Sequence, residues 1–193
     1  MKDGSRVIHF IDTETTGLNH RVHEVISVGI LEVRETRVGE RLNYEVLSEH
    51  EIKIKPERLA DADPIAFKIN KFKPEDWQDA FSAKEAFEIL GPILERPDAN
   101  DAKVNSVAVA GHNVHFDVLM LASFFARFGV TWNPRHSLDT YTLSRKVLRG
   151  DIVLESYALR SLCNYYDIEN ESAHTALSDA RACFELYKKL MNE

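Results

Sequence analysis

FIDTETTG, residues 10–17, closes an apolar strand with two acids and a glycine. Side chains alternate between the two faces of a strand, so Asp12 and Glu14 point the same way. They continue the face that Ile8 and Phe10 begin, and an apolar run of this kind is typical of the middle of a sheet. Two acids at the end of a core strand therefore need a chemical reason.

The composition of the whole chain limits the classes of protein to consider. A length of 193 residues fits one domain, residues 1–193, and 44% hydrophobic content is ordinary for a soluble globular protein. No apolar stretch is long enough to span a bilayer or to form the core of a signal peptide. Cys163 and Cys183 are the only cysteines, and we expect buried thiols and a cytoplasmic location.

The charge of the chain excludes one mode of binding. A net charge of −7 argues against a protein that coats long nucleic acid by electrostatic attraction. It leaves open a protein that grips a short stretch through metal ions. Arg145, Lys146 and Arg149 lie on one helical stretch and could touch one or two phosphates, although a solvated helix face is the favoured interpretation. We expect no other basic cluster.

The order of the predicted elements indicates an α/β fold. Strands are predicted at 6–13, 24–34, 42–54 and 107–111. Helices are predicted at 64–70, 83–94, 114–128, 139–148, 156–165 and 174–191, and the polar stretch 95–106 is predicted as a surface loop. Three strands followed by strands interleaved with helices predict a mixed sheet flanked by helices.

A third acid lies in GHNVHFDVLML, residues 111–121. Gly111 ends a strand, Asn113 is a good N-cap, and Asp117 falls in the first turn of the following helix. The helix dipole favours an ionised carboxylate there. Taken alone, this acid would need no further role.

A fourth acid and a histidine lie in HTALSDARACFELYKKLM, residues 174–191. A stripe of apolar residues at helical spacing includes Asp179. A carboxylate on an apolar helix face is costly unless it is paired or bound to metal. His174 lies at or just before the helix start, where a lone histidine would more often be a capping or packed residue. The neighbouring acids make it a candidate functional residue.

The chemistry of the four acids and His174 indicates a metal site. Four carboxylates, Asp12, Glu14, Asp117 and Asp179, cannot share a pocket in ionised form without cations between them. Oxygen ligands suit hard ions such as Mg²⁺ or Mn²⁺, and two divalent ions would balance four negative charges. Two ions about 4 Å apart clamp the attacking and leaving oxygens of an in-line displacement at a phosphodiester. His174, with an ordinary pKa of about 6.5, would accept a proton from water.

At these residues the chain resembles the DEDDh (DnaQ-like) 3′–5′ exonuclease family, which includes the epsilon proofreading subunit of DNA polymerase III, ribonuclease T and oligoribonuclease. FIDTETTGL, GHNVHFDVLML and HTALSDA match the three motifs of the family in order and spacing. The resemblance covers nearly the whole chain. The spacing HxxxxD also distinguishes it from the branch with tyrosine four residues before the last Asp, because Thr175 holds that position here.

The resemblance implies a fold, a reaction and its residues. The fold would be ribonuclease-H-like, with a five-stranded mixed sheet flanked by helices. Two Mg²⁺ or Mn²⁺ ions would be bound by the four acids, and His174 would be the general base. The reaction would release nucleoside 5′-monophosphates from the 3′ end of DNA or RNA. Partners would be short or single-stranded 3′ ends, with a polymerase or a second copy of the chain as a possible further partner.

The same resemblance implies candidate substrate contacts. Thr15, Gly17 and Leu18 would border the terminal nucleotide, with Leu18 against its base. IKPERLADADPIAFKINKF, residues 54–72, resembles a family segment that contacts this nucleotide and ends in His-Gly-Ile. Asn70 and Lys71 stand at the His and Gly positions of that segment, and Asn70 is a candidate contact. His112 and Asn113 are expected to be structural supports.

Two alternatives stay open from the sequence. The chain could be an adaptor, a domain of this fold whose main task is to bind a polymerase or another partner, although none of the four acids is missing. It could also be an endonuclease of the same fold, which the HxxxxD spacing disfavours. Nothing in the sequence decides between DNA and RNA.

Overall fold

The computed structural model describes residues 5–94, 107–134, 136–148, 154–170 and 175–192. The strands are β1 Ser5–Thr15, β2 Val25–Val38, β3 Arg41–Lys53, β4 Ala108–Gly111 and β5 His136–Asp139. The helices are α1 Pro64–Ile69, α2 Ala83–Leu94, α3 His115–Ala126, α4 Thr140–Val147, α5 Leu159–Tyr165 and α6 Ala176–Met191. Two single 3₁₀ turns lie at Leu59–Asp61 and Pro74–Trp77.

The five strands form one mixed sheet in the order β3-β2-β1-β4-β5. β1, β2 and β3 are antiparallel neighbours, whereas β4 is parallel to β1 and β5 is parallel to β4. This arrangement confirms the predicted α/β fold. β5 was not located from the sequence, because its four residues carry no apolar run and become a strand only by pairing with β4.

The sheet separates two apolar cores. On one face, Ile8 and Phe10 of β1 pack with Phe184 and Tyr187 of α6. On the other face, the core contains Ile11 together with residues of α2 and α3. Because strand side chains alternate, Asp12 and Glu14 share the α6 face with Phe10. Within the described segments, none of the helices combines the length and the apolar character that a bilayer crossing needs.

Two local predictions differ from the structure or lie beyond it. Asn113 is not the N-cap of α3, since it has a positive φ of 62° and the cap position is Val114. Asn tolerates this left-handed conformation, which turns the chain from β4 into the helix. The predicted loop at 95–106 lies outside the described residues.

The first turn of α6 lies directly on the sheet at Gly29. A Cβ atom at Gly29 would overlap the backbone carbonyl of Ala176 and the amide nitrogen of Leu177. Only glycine allows this approach, and the approach sets the height of α6 above the strand that pairs with Asp12.

We therefore expect Gly29→Ala to lower stability by about 1–3 kcal/mol, the usual cost of overpacking, because the added methyl group displaces α6. Gly91→Ala in α2 is the matched control, because an added Cβ there meets nothing within 4 Å and alanine is the better helix former. Thermal unfolding of both variants provides the measurement. Equal behaviour of the two variants would contradict the packing argument.

Candidate active site

β1 carries two of the acids to the end of the sheet. Asp12 is paired across the ladder with Gly29 of β2, and Glu14 is paired with Ser27. Because these partners have no side chain or a small one, β2 places no bulky group beside either carboxylate. The register shifts directly after Glu14, and an irregularity of this kind bends the chain away from the sheet.

α6 brings the third acid over the same face. Asp179 lies in the first turn of α6, and Thr175 caps that turn through its side chain. The Nδ2 atom of Asn170 donates to Oδ1 of Asp179 at 2.7 Å, while Oδ1 of Asn170 accepts from the hydroxyl of Ser178 at 2.7 Å. Asn170 thereby fixes the orientation of the Asp179 carboxylate.

Asp12, Glu14 and Asp179 form a three-carboxylate cluster. Each offers one oxygen atom, and these atoms lie within 4.8 Å of one another. Such spacing is close to that of oxygens around one hard cation, and carboxylates are the ligands that Mg²⁺ and Mn²⁺ prefer. The residues present therefore fit a divalent metal ion.

Asp117 is near this cluster but is turned toward β1. It is only 3% exposed and lies in the first turn of α3, as predicted. Its Oδ1 atom accepts hydrogen bonds from the backbone N–H and the hydroxyl of Thr13, at 2.9 and 2.7 Å. The structure thus brings three of the four predicted ligands together and holds the fourth beside them through β1.

Burial and mutual repulsion favour protonation of these acids. Burial raises the pKa of Asp12 well above its ordinary range, and the charges of Asp117 and Asp179 raise it further. Burial, followed by the charge of Asp179, raises the pKa of Glu14 to about 7. Burial also raises the pKa of Asp117, against the hydrogen bonds from Thr13 that lower it. Divalent cations would take the place of these protons.

These shifts predict how stability depends on pH and on metal. Glu14 has a folded pKa of about 7, above the ordinary value of about 4.3. Its contribution is therefore present at low pH and is lost as pH rises through 7. We expect the Tm of the metal-free protein to decrease as the pH rises from about 5 to 8. Mn²⁺ should raise the Tm again near the upper end of this pH range.

Differential scanning calorimetry in EDTA and in Mn²⁺ measures this effect. The control is Glu14→Gln, which removes one titrating group and should make the fall in Tm shallower. A Tm that rises with pH in EDTA over this range, and that does not change when Mn²⁺ is added, would contradict the proposed cluster.

The loop after β1 is held in place by its own backbone. The hydroxyl of Thr15 donates to the carbonyl of Gly17 at 2.9 Å. Gly17 has a φ of 156°, and a Cβ atom there would overlap the imidazole of His23. Leu18 is 79% exposed and is free to meet a nucleobase. The predicted roles of these residues toward substrate stay predictions.

Asn70 connects α1 to this loop. It is 8% exposed, and its Nδ2 atom donates to the carbonyl oxygen of Thr15 at 2.9 Å. Its Oδ1 atom accepts from the backbone N–H of Phe72. Asn70 therefore positions the predicted substrate loop, and a direct contact with substrate stays a prediction.

His174 lies outside the described residues, so its role as general base also stays a prediction.

A polar network supports the site from β4 and β5. His112 contacts the hydroxyl of Thr140 through Nδ1 at 3.0 Å and the carbonyl of Tyr157 through Nε2 at 2.9 Å. Oδ1 of Asp139 accepts from the backbone N–H of Asn113 at 2.7 Å, and the same side chain caps α4. This agrees with the expected structural role of His112 and Asn113.

Three supporting residues were missed from the sequence. They are Thr13, Asp139 and Asn170. Asp139 carries a recognisable signal, an acid directly before a helical pattern, which is typical of an N-cap. Thr13 and Asn170 carry none, because their partners are distant in sequence or lie across a loop.

A family model described as an exonuclease, RNase_T, matches residues 9–187 of this chain. The chain is similar to ribonuclease T of Buchnera aphidicola subsp. Schizaphis graminum, with 30% identity over 191 residues, covering 94% of this chain and 81% of that protein. Ribonuclease T of Wigglesworthia glossinidia brevipalpis is 26% identical over 192 residues, covering 94% of this chain and 83% of that protein. These matches confirm the family expected from the three motifs.

Two larger proteins contain a region similar to this chain. The DNA polymerase III PolC-type of Caldanaerobacter subterraneus subsp. tengcongensis is 26% identical over 182 residues, which are 94% of this chain and 11% of that protein. Exonuclease I of E. coli in complex with a dT13 oligonucleotide matches with a TM-score of 0.75 and 18% identity, covering 96% of this chain and 41% of that chain. At this identity the likeness concerns the fold, and it agrees with the mixed sheet described above.

Proposed function

Since this chain belongs to the RNase_T exonuclease family, we propose that it is a metal-dependent 3′–5′ exonuclease. It removes nucleoside 5′-monophosphates from the 3′ end of DNA or RNA, and residues 1–193 form the exonuclease domain. The observation that carries the proposal is the cluster of Asp12, Glu14 and Asp179, whose oxygens lie within 4.8 Å of one another at the end of a core strand.

Each residue of the candidate site has a proposed role. Asp12, Glu14 and Asp179 would hold divalent ions, and Asp117, held beside them by Thr13, is the proposed fourth ligand. Two Mg²⁺ or Mn²⁺ ions would neutralise these acids and stabilise the charge that develops on the phosphodiester oxygens. His174 accepts the proton of the attacking water. Asn170 keeps the Asp179 carboxylate oriented, and Leu18 packs against the terminal base.

The test is digestion of matched oligomers labelled at the 5′ end. DNA and RNA strands, single and double, are incubated with Mg²⁺, with Mn²⁺ or with EDTA. We expect a ladder of products that shortens from the 3′ end in metal and no cleavage in EDTA. Failure to shorten any strand would refute the proposal, and cleavage of circular single strands would favour an endonuclease.

The proposed partners follow from the relatives. Exonuclease I of E. coli was crystallised in complex with ssDNA, which supports a single-stranded 3′ end as the substrate of this chain. The similarity to part of a PolC-type polymerase supports a polymerase as a further partner, and a second copy of the chain stays a prediction. The cytoplasmic location also stays a prediction of the sequence.

A further inference from the structure

Residues 64–74, PIAFKINKFKP, carry three lysines and no carboxylate, in a chain whose net charge is −7. We call this stretch the lysine segment. Its lysines, Lys68, Lys71 and Lys73, are exposed. None of them forms an ion pair with a carboxylate of the described residues, whereas Arg127 and Arg181 do. The segment therefore exposes three positive charges that form no ion pair with the described carboxylates.

Lys71 is held in an unusual backbone conformation. Its φ is 54°, and the other non-glycine residues at positive φ in the described chain are Asn113 and Asp167. The backbone N–H of Phe72 donates to the carbonyl of Phe67, so Lys71 is the left-handed residue with which α1 ends, a position where glycine or asparagine is usual. Asn70 holds the chain on both sides, through its backbone N–H to Ala66 and its side chain to Phe72. These hydrogen bonds fix the backbone from which the exposed side chain of Lys71 extends.

The lysine segment is tied to the loop that follows the metal cluster. The side chain of Asn70 donates to the carbonyl of Thr15 at 2.9 Å. The backbone N–H of Asp63, which caps α1, donates to the carbonyl of Thr16 at 2.7 Å. Thr15 directly follows Glu14, and Lys71 directly follows Asn70. The backbone of Lys71 therefore lies one residue from a direct contact with the loop that follows Glu14.

Exposed apolar side chains accompany these lysines. Lys68 and Ile69 lie three and four residues after Ile65, on the same side of α1, and the two isoleucines are 67% and 56% exposed. Leu18 of the neighbouring loop is also exposed. Single-strand binding combines cations for phosphates with side chains, usually aromatic, that pack on base faces, and here aliphatic side chains offer that apolar contact. A duplex would hide its base faces from such a surface.

We propose that the lysine segment binds the backbone of a single strand on the 5′ side of the nucleotide being removed, with Lys71 as the main phosphate contact. The inference rests on the proposed function, because the 3′ end in the metal site places the rest of the strand. The sequence predicts phosphate contacts at most at Arg145, Lys146 and Arg149, and the proposal adds the lysine segment to these. Arg145 already lies over the rings of Tyr141 and Tyr157.

The test compares Lys71→Gly with Lys189→Ala. Glycine suits a positive φ, so Lys71→Gly removes the charge without backbone strain. Lys189→Ala removes the same charge from an exposed position in the last turn of α6, at the end of the helix opposite Asp179. Affinity for a fluorescein-labelled oligothymidylate is measured by anisotropy in Ca²⁺ at several salt concentrations. We expect Lys71→Gly to weaken binding several-fold and to reduce the salt slope by about 0.7. Lys68→Ala combined with it should reduce the slope by about 1.4.

Turnover measurements distinguish a failure of the lysine-segment proposal from a failure of the proposed exonuclease function. The p-nitrophenyl ester of thymidine 5′-monophosphate has no upstream strand, so Lys71→Gly should hydrolyse it like the wild type. The KM for the oligomer should rise while kcat stays within about twofold. An unchanged salt slope in Lys71→Gly, or an equal change in Lys189→Ala, overturns the inference. Failure of the wild type to shorten any of the DNA or RNA oligomers would refute the exonuclease, and the binding slopes would still decide the role of Lys71.

Discussion

Asp12→Asn is expected to lower kcat/KM for nucleotide release by about 10³-fold or more. The reason is that it removes a central charged group of a metal-dependent phosphoryl-transfer site. Asp12 lies in the three-carboxylate cluster, on the sheet face where α6 approaches Gly29. Asparagine keeps the shape of the side chain but cannot supply the negative charge that holds the metal.

The same substitution should stabilise the metal-free protein. Burial and the charges of Asp117 and Asp179 act against an ionised Asp12, and the neutral amide removes this repulsion. The Tm in EDTA should rise by about 2–4 °C for each kcal/mol relieved. Activity loss with increased stability distinguishes a functional acid from one that supports the fold.

Glu51→Gln is the matched control for Asp12→Asn. Glu51 of β3 pairs with Gly29 in the same row of the sheet, but it is not part of the cluster. Its variant should keep activity within a few-fold. Near-normal turnover by Asp12→Asn, or an equal loss in Glu51→Gln, would show that the metal centre is wrongly placed.

His174→Ala is expected to lower kcat by about 10²- to 10⁴-fold, the usual contribution of a general base. Of the five predicted catalytic residues, only His174 has an ordinary pKa near neutrality. Metal binding should survive, because the carboxylates remain. The rise of kcat with pH that reports a neutral imidazole should disappear in the variant.

The rate and the metal requirement are measured together. Titration of His174→Ala with Mn²⁺ should reach half-saturation at the wild-type concentration. His115→Ala is the control, since His115 is an exposed histidine in the first turn of α3. A higher metal requirement with an unchanged saturated rate would make His174 a metal ligand and not a base.

Local periodicity explains what the sequence predicted well. The alternation of β1 places Asp12 and Glu14 on one face, and the structure has them there, on the face that α6 covers. The helical stripe of α6 includes Asp179, and the structure places this residue in the first turn of that helix. Both inferences depend on a repeat of two or 3.6 residues, which any neighbouring stretch of the same element reveals.

Contacts between distant segments explain what the sequence could not predict. β5 exists through its pairing with β4, and the Asp117 carboxylate is turned toward β1 by Thr13. Asn70 binds the carbonyl of Thr15 across 55 positions of the chain. No local repeat encodes these partners, because strand register and packing set them.

The sequence by itself determined which side chains can hold a metal and which faces they occupy, since local geometry fixes both. Only the tertiary structure decided which of them meet. The first turn of α6 approaches Asp12 because Gly29 has no side chain to keep it away. That contact places Asp179 within 4.8 Å of Asp12 and Glu14, and it arises from close packing between residues more than a hundred positions apart.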